Sequence, residues 1–317
     1  MNEIQKDFNY DIIGDVHGEY ETLLALLRRL GYQLVNSVFK HPDGRKVIFL
    51  GDLVDRGPGQ VEVVSLVRSM CDEGSAICIM GNHEFNAIAY YTKDCEGIHL
   101  REHSQKNYEQ HEAFLAAYAH DELAYRDVIE WFQTLPFWLD FETFRVVHAC
   151  WDQSWVNKLL KEYDKPYLTK DLLYAATTKG TWEYIALETL MKGKEVPLPD
   201  GHFFHDKDGN RRSNIRTKWW GFGGSYRACY IGPSQALNDI PDIMIDGDHL
   251  IQYPVNEKPV FIGHYWLTGE PSPLARNIAC LDYSVAHSGG ALVAYRFSGE
   301  HKLHSDRFVR VPRITIH

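Results

Sequence analysis

The segment of residues 46–57, KVIFLGDLVDRG, constrains the fold of this chain more than any other stretch. Residues 47–50 form a continuous apolar run, which is typical of a strand buried on both faces of a sheet. Gly51 permits a sharp turn, so Asp52 is expected to project from the strand's carboxyl end, where open α/β sheets build their sites. A solvated loop acid is the alternative for Asp52. Similar strand ends elsewhere in the chain argue against it.

The first part of the chain repeats one scheme of strand, glycine, polar residues and helix. Residues 10–14 and 76–80 are predicted strands, and each is followed by a polar motif, Asp15-Val16-His17-Gly18 and Gly81-Asn82-His83-Glu84. Apolar residues at spacings of three and four predict helices over residues 19–30 and 58–70. This alternation predicts an α/β fold with helices layered on a sheet.

Other predicted elements complete the outline. Residues 34–39 and 46–50 flank the turn-like sequence His41-Pro42-Asp43-Gly44, which predicts a hairpin. Residues 93–120 are rich in polar side chains and are expected to form an exposed segment leading into a helix. Further predicted helices cover residues 127–135, 168–178 and 182–191, and further predicted strands cover residues 137–141, 144–149, 260–263, 278–282 and 291–297.

The strand and helix rhythm disappears between residues 151 and 250. A loop-rich stretch of this length inside a compact domain is usually a functional lid or an accessory subdomain. We therefore expect a single domain over residues 1–317, with residues 151–250 as an inserted lid or rim.

Composition excludes several classes of protein. The net charge of −10 argues against an extended nucleic-acid surface, which needs clustered lysine and arginine. No apolar run approaches the roughly 20 residues of a membrane span, and the first motif begins too early to leave room for a signal peptide, so we expect a cytoplasmic protein. The six cysteines form no CxxC pair, which argues against a disulfide framework or a zinc ribbon.

The polar side chains at the predicted strand ends form a candidate metal-ligand set. Imidazole, carboxylate and amide oxygen together suit manganese, iron, zinc or similar divalent ions. The set is too large for one catalytic ion with an open position, and it fits two ions about 3.5–4 Å apart, between which a water becomes a hydroxide nucleophile. Asp52 is expected to bridge because it follows the central strand. The set is Asp15, His17, Asp52, Asn82, His148 and His264.

Five sequence blocks, in order, resemble the signature blocks of calcineurin-like metallophosphoesterases. The DRG and GNHE forms are similar to the phosphoprotein phosphatase branch, which includes Ser/Thr phosphatases and bacterial diadenosine tetraphosphatases. The resemblance covers residues 10–150 and 258–297, where residues 277–296 resemble the family's closing hairpin, and it implies a layered αββα sandwich. The blocks are Asp15-x-His17-Gly18, Gly51-Asp52-x-x-Asp55-Arg56-Gly57, Gly81-Asn82-His83-Glu84, Val146-Val147-His148 and Ile262-Gly263-His264.

The resemblance also implies a role for each ligand. It implies that Asp15, His17 and Asp52 hold the first ion. Asp52, Asn82, His148 and His264 would hold the second. Manganese is the favoured metal, with iron, zinc, nickel and magnesium as alternatives.

Three further residues are implied to act on the substrate. His83 would protonate the leaving oxygen and Asp55 would orient it, and a carboxylate partner raises the pKa of a histidine toward the range that an acid needs. Arg56 would bind phosphate oxygens as a two-pronged donor and spread the transition-state charge. Asn82 is expected to contact the substrate as well.

The chain departs from the family pattern at three places, all beside the predicted site. Ala149-Cys150-Trp151 replaces the glycine that usually follows the first downstream histidine, Tyr265-Trp266 stands where tetraphosphatases have Thr-Pro, and Asp282-Tyr283-Ser284 stands where they have Asp-Thr-Gly. None removes a ligand, so these changes leave the substrate open rather than the reaction type.

Other polar residues are left with several interpretations. A second phosphate-binding arginine is open among Arg101, Arg216 and Arg227. The remaining histidines of the central part are expected to be solvated or satisfied by local partners. These are His99, His103, His111, His202, His205 and His249.

The sequence thus predicts a phosphatase that hydrolyses phosphomonoesters by in-line attack of a metal-bound hydroxide. Its substrate would be a phosphorylated small molecule, a nucleotide or a phosphoprotein. Cleavage of a phosphoanhydride in a nucleotide or a dinucleoside polyphosphate is the alternative activity. A non-catalytic metal-binding interaction module is the alternative class, although such a module has no need of His83 and Asp55. The oligomeric state is not predicted.

Overall fold

The computed structural model describes residues 9–205, 209, 211–221, 223–232, 234–245, 251 and 253–315. The strands are β1 Tyr10–Ile13, β2 Gln33–Val35, β3 Val38–Lys40, β4 Lys46–Phe49, β5 Ala76–Cys78, β6 Trp138–Asp140, β7 Arg145–Val147, β8 Glu195–Pro197, β9 Phe204–His205, β10 Arg211–Arg212, β11 Asn214–Arg216, β12 Val260–Ile262, β13 Ile278–Cys280, β14 Asp282–Tyr283, β15 Ala291–Phe297 and β16 Phe308–Pro312. The α-helices are α1 Tyr20–Leu30, α2 Gln60–Asp72, α3 Asn82–Tyr91, α4 Gln105–Tyr118, α5 Glu122–Phe132, α6 Gln153–Tyr163, α7 Lys170–Thr177, α8 Trp182–Lys192 and α9 Tyr226–Cys229.

Two sheets form the centre of the molecule. The first sheet has the order β14-β15-β1-β4-β5, with β16 also paired to β15. Its strands β1, β4 and β5 are parallel, and β15 runs antiparallel to β1. The second sheet has the order β13-β12-β7-β6, in which β13, β12 and β7 are parallel. The predicted α/β architecture is confirmed, and β4 is the central strand of the parallel trio.

Alternating residues show that the sheets pack face to face. Ile48 of β4 and Val146 of β7 share one apolar cluster, which lies between the two sheets. Val47, Phe49 and Val147 belong to the other large cluster, which contains the helices. Because successive strand residues point to opposite faces, each central strand contributes to both clusters. This explains why residues 47–50 are apolar without interruption.

The predicted helix over residues 19–30 is confirmed as α1, which ends at Gly31. Gly31 has φ 95°, and its N–H bonds the carbonyl of Arg28, which closes the last turn. Ser104 caps α4 by accepting a bond from the N–H of Asn107. Thus α4 begins where the polar segment of residues 93–104 ends.

The predicted hairpin is wrong in its partners. β2 pairs with β3 across Asn36 and Ser37, whose φ values of 50° and 67° make the two-residue turn. β4 pairs in parallel with β1 and β5 instead. The sequence His41-Pro42-Asp43-Gly44 is therefore a connection between β3 and β4. The hairpin turn is formed by Asn36 and Ser37 instead, and asparagine tolerates the left-handed backbone conformation.

The region after residue 150 divides into two parts. Residues of α6, α7 and α8, such as Leu159, Leu172 and Leu190, join the main apolar cluster. The described residues of 195–245, which we call the accessory region, contribute Trp219, Trp220 and Ile231 to the main cluster. They also form a small separate cluster. Its buried members are Val196, Leu198, Phe204, Ile215, Tyr230, Ala236 and Ile240. The described residues contain no helix with the length and apolarity that crossing a membrane requires.

Candidate active site

The loops after β1, β4 and β5 are interlocked through their backbones. The N–H groups of Val16 and His17 both donate to the carbonyl of Asp52, at 3.0 and 2.9 Å. Gly51 has φ 84°, and a Cβ there would lie 2.3 Å from the backbone nitrogen of Gly81. Only glycine permits this approach, so the three polar motifs meet at one edge of the sheet.

Glu84 holds two of these loops together, a role that the sequence reasoning missed. Its buried carboxylate accepts hydrogen bonds from the N–H groups of Asp52 and Leu53, both at 2.8 Å, and from Gly81 at 2.9 Å. These bonds fix the turn that presents Asp52. The GNHE motif itself contained the signal, since an acid three residues after Gly81 is placed to bond the start of the helix.

Asp52 lies at the centre of the imidazole cluster. Its Oδ2 lies 3.3 Å from Nε2 of His148, 3.8 Å from Nε2 of His83 and 3.9 Å from Nε2 of His17. Burial opposes ionisation of Asp52, but His148 and His83 lower its pKa well below the ordinary value. The carboxylate is therefore an anion toward which three side chains converge.

Asn82 connects the second sheet to the first. Its Oδ1 lies 3.2 Å from Nε2 of His148 and 2.8 Å from Nδ1 of His264. Asp15 accepts the N–H of His264 at 3.1 Å. A Cβ at Gly263 would lie 2.0 Å from Oδ1 of Asp15, so glycine is required where these two strand ends touch. All six predicted ligands thus lie in one buried cluster.

The donor atoms suit metal ions. Nδ1 of His17 donates to the carbonyl of Val54 at 2.9 Å, and Nδ1 of His148 donates to that of Leu50 at 2.6 Å. Backbone partners of this kind orient a metal-binding imidazole and leave Nε2 for the ion. Nε2 of His17 and of His264 is buried without a hydrogen-bond partner among the described residues. Unpaired buried nitrogen is costly, and a cation would satisfy it.

Two groups of potential ligand atoms share Asp52. His17, Asp52 and His83 form one group, and Asp52, His148 and His264 form the other, each with its atoms within 4.8 Å. The first group contains His83 where the sequence expected Asp15. Nδ1 of His83 is bonded to Asp55, and its Nε2 lies 3.8 Å from Oδ2 of Asp52.

The charge states agree with this arrangement. Burial and the neighbouring His83 lower the pKa of His17 to about 3, so this imidazole is neutral and has a free lone pair. Burial would lower the pKa of His148, but Asp52 and Asp15 raise it to about 10. The negative charge that attracts a proton there would also attract a metal cation, which competes for the same nitrogen.

His83 and Asp55, which we call the acid pair, are in direct contact. Nδ1 of His83 lies 2.5 Å from Oδ2 of Asp55. Burial would lower the pKa of His83, but Asp52 and the hydrogen bond to Asp55 raise it above the ordinary value. The imidazole is thus supplied with a proton, and its Nε2 is directed toward the ligand cluster.

A third side chain, His111, contacts the acid pair, and the sequence did not predict this contact. Nδ1 of His111 lies 2.6 Å from Oδ1 of Asp55, and His111 is 4% exposed. The expectation of a satisfied histidine is correct, but its partner is a site residue. The available signal was the buried face of α4, where His111 precedes Phe114 and Tyr118 at helical spacing. His249 lies outside the described residues.

Arg56 lies over an aromatic ring at the edge of the site. Its guanidinium carbon is 3.9 Å from the ring centroid of Trp266, whose ring also lies 5.6 Å from that of His17. Arg56 is exposed, so the cation is accessible. Asp282, which is buried, accepts the N–H of Trp266 at 2.6 Å and fixes this turn.

The three candidate arginines differ in their surroundings. Arg101 donates to Asn86, Asn107 and Gln110. Arg227 donates to the carbonyl of Ile240. Arg216 lies 3.8 Å from Glu195. Burial and then the charge of Arg216 lower the pKa of His264 well below the ordinary value.

Backbone strain is concentrated at this site. Non-glycine residues rarely adopt positive φ, and each such residue costs of order 1–3 kcal/mol unless its surroundings impose the conformation. The surroundings here are the interlocked loops described above. The site residues with positive φ are His17, Asp52, Asp55, Arg56, His264 and Trp266.

A cavity of about 240 Å³ lies beside Trp266 on the side of the closing hairpin. Tyr283 and His287 also line it, and Arg310 contributes a cation. Its lining is mainly apolar and aromatic, which suits a planar ring. Trp266, Tyr283 and Ser284, which belong to the departures from the family pattern, thus line this cavity.

The architecture and the site together define the class of protein. The profile of the calcineurin-like phosphoesterase family matches residues 8–187, which is more than half of the chain. The chain belongs to this family.

Individual relatives match a shorter stretch. A protein of Halalkalibacterium halodurans named bis(5'-nucleosyl)-tetraphosphatase PrpE (asymmetrical) is 49% identical over 74 residues, 23% of this chain and 30% of that protein. The protein of the same name from Bacillus subtilis is 45% identical over 84 residues, 26% of this chain and 34% of that protein. The match therefore spans about a third of these relatives' length.

A solved structure supports the fold over the whole chain. A protein serine/threonine phosphatase from Saccharomyces cerevisiae matches 100% of this chain and 82% of its own, with a TM-score of 0.52 and 14% identity. At that identity the likeness concerns the fold alone.

Proposed function

We propose that this protein is a dinuclear metal-dependent phosphatase that hydrolyses phosphomonoesters. The observation that carries the proposal is one buried carboxylate, Asp52, shared by two groups of ligand atoms and placed beside an acid pair and an accessible arginine. A scaffold that only bound metal would have no use for the acid pair, so the arrangement favours an enzyme over an interaction module.

The two ions would share Asp52 and would otherwise have different ligands. Asp15, His17 and Asp52 would hold the first ion, and Asp52, Asn82, His148 and His264 would hold the second. The unpartnered Nε2 atoms of His17 and His264 support this assignment. When bound, the two cations would activate water as the nucleophile and neutralise charge on the phosphoryl oxygens.

The chain's own residues would do the rest of the chemistry. Arg56, anchored over Trp266, would grip two phosphate oxygens, and Asn82 would contact the phosphoryl group. His83 would deliver a proton from Nε2 to the leaving oxygen. Asp55 would hold Nδ1 of His83 and so direct Nε2 toward the substrate.

A phosphoanhydride is the second candidate substrate. The relatives named as bis(5'-nucleosyl)-tetraphosphatases favour it, although they match only about a quarter of this chain. The aromatic cavity beside Trp266 also favours it, because its 240 Å³ would accept a nucleobase. In that case the leaving group would be a nucleotide phosphate rather than an alkoxide.

Several finer points belong to the same proposal. Manganese is the favoured metal, since oxygen and imidazole ligands suit it. Residues 151–250 would form the rim of the site. Arg216, on the accessory region, would be the second phosphate-binding arginine, which the lowered pKa of His264 supports because the charge of Arg216 contributes to it. The cytoplasmic location expected from the sequence stays a prediction.

The test is a substrate panel with metal-depleted and metal-restored protein. Turnover would be compared for p-nitrophenyl phosphate, a phosphoserine peptide and diadenosine tetraphosphate, with metal content measured in parallel. Activity on the monoesters that disappears with chelation and returns with manganese is the expected result. Faster cleavage of diadenosine tetraphosphate would favour the second candidate. Two bound ions with no hydrolysis of any substrate would refute the enzyme and favour the interaction module.

A further inference from the structure

The carboxylate of the acid pair is held from both sides. Oδ2 of Asp55 lies 2.5 Å from Nδ1 of His83, and Oδ1 lies 2.6 Å from Nδ1 of His111. Asp55 is 2% exposed, so water does not compete for these oxygens. One rigid carboxylate therefore spans two imidazoles, only one of which borders the ligand cluster.

The contact with Asp55 fixes which atom of His111 is the donor. A carboxylate oxygen accepts hydrogen bonds, so Nδ1 of His111 donates to Oδ1 of Asp55. Nε2 of His111 is buried and has no hydrogen-bond partner among the described residues. The bond to Asp55 therefore holds this imidazole in place.

Helix α4 is held firmly against the acid pair. The ring of His111 packs 4.9 Å from that of Phe114 and 5.4 Å from that of Tyr90 on α3. Arg101 ties the two helices together by donating to Asn86 of α3 and to Asn107 of α4. The imidazole of His111 thus has little freedom to leave Asp55.

The charge of Asp55 agrees with this geometry. Burial alone would raise its pKa, but the hydrogen bonds from His111 and His83 lower it well below the ordinary value. Because the donor on α4 occupies Oδ1, Oδ2 remains available to His83.

We propose that His111 is a positioning residue for leaving-group protonation, which fixes Asp55 so that the carboxylate aims Nε2 of His83 at the departing oxygen. The inference rests on the proposed function of the acid pair. It extends the site to α4, 56 residues along the chain from Asp55 and outside every sequence block that resembles the family.

Loss of the donor would affect some substrates more than others. Without it, the buried Oδ1 of Asp55 lacks a partner, and the carboxylate can rotate away from His83. Protonation matters most when the leaving group is a strong base, and matters little when the leaving group is stable as an anion. The loss of kcat/KM caused by substituting His111 should therefore increase with the basicity of the leaving group.

The experiment measures kcat/KM for a series of aryl and alkyl phosphates with leaving groups of graded acidity. His111→Leu removes the donor, and His111→Asn retains a donor near the position of Nδ1. His103→Leu is the matched control, because His103 stacks 3.7 Å from Tyr90 and bonds its carbonyl without contacting Asp55. Metal content and thermal unfolding are recorded for every variant.

For His111→Leu we expect losses that rise from about 3-fold on the most acidic leaving group to about 100-fold on the most basic, within the range of general-acid catalysis. His111→Asn should recover most of the loss, and His103→Leu should follow the wild type. An equal loss across the series, or equal behaviour of the Leu and Asn variants, would overturn the inference.

Two further outcomes are separable. Should His111→Leu fail to fold, His111→Gln replaces it. A glutamine amide reaches the position of Nε2 rather than Nδ1, so this variant also lacks the donor to Asp55. A loss of kcat/KM that does not vary with the leaving group in that variant would equally overturn the inference. Wild-type protein without any phosphate ester hydrolysis would overturn the proposed function itself.

Discussion

The strand-end loops of residues 9–150 and the accessory region are stabilised in different ways. The loops are locked by backbone bonds, by the three bonds of Glu84 and by glycines at which no Cβ fits. The accessory region has strands of two or three residues and a cluster of seven buried apolar side chains. The ligands that must hold fixed distances lie where these bonds and close contacts are concentrated, and the accessory region is joined to the main core by Trp219, Trp220 and Ile231.

The largest effect should come from the shared carboxylate. Asp52→Asn removes the charge at the centre of both ligand groups, and His264→Ala removes a ligand from one of them. We expect each to lower kcat on p-nitrophenyl phosphate by at least about 1,000-fold, because the cations supply both the nucleophile and the charge stabilisation. Turnover assays with metal analysis check this, and near-wild-type turnover in either variant would refute the site assignment.

The next largest effect should come from the acid pair. His83→Asn should lower kcat by about 100- to 1,000-fold on phosphomonoesters of basic alcohols, as the loss of a general acid does. Metal content should stay unchanged, since the proposed function gives Nε2 of His83 the role of proton donor and not of ligand. If the variant purified with fewer bound ions, then His83 would be a ligand, as its place in the group with His17 and Asp52 allows.

The same type of change, glutamate to glutamine, made once in each region compares the stability of the two regions directly. Glu84→Gln leaves a single acceptor oxygen for three backbone N–H groups and should lower the free energy of unfolding by about 2 kcal/mol. Glu195→Gln alters a half-exposed ion pair in the accessory region, where Nε of Arg216 lies 3.8 Å from the Glu195 carboxylate. This change should alter the free energy of unfolding by less than about 0.5 kcal/mol. Urea unfolding measures both, and equal losses would contradict the comparison.

The smallest effect should come from the accessory region's own contribution to the site. Arg216→Ala should raise KM by about 10-fold with a smaller change in kcat, as the loss of one charge-assisted phosphate contact does. Arg227→Ala is the matched control, because its guanidinium bonds the carbonyl of Ile240. Steady-state kinetics decide this, and equal KM values for the two variants would remove Arg216 from the site.

Much of the architecture was predictable because it depends on local pattern. The apolar run of residues 47–50 predicted a strand buried on both faces, and its alternate residues do enter two cores. The predicted hairpin at residues 34–50 was wrong because strand pairing there depends on elements that are distant in the chain. Two turn-forming sequences lay near each other, and the choice between them depended on the pairing of β4 with β1 and β5.

The site shows the same division. All six predicted ligands converge, because each follows a strand and parallel strands end at the same edge of a sheet. His111 and Glu84 were not assigned roles, since their partners lie 56 and 31 or 32 residues away. No periodicity in α4 indicates which of its buried side chains will meet Asp55.

The sequence by itself determined the family, the alternation of strands and helices around the three polar motifs, and the set of side chains at the strand ends. These follow from hydrophobic period and from motifs whose residues are neighbours in the chain. Only the tertiary structure decided that Glu84 holds the loop of Asp52 and that His111 reaches Asp55. Those relations arise from the packing of distant elements, and contacts of that kind depend on the whole core rather than on any local stretch.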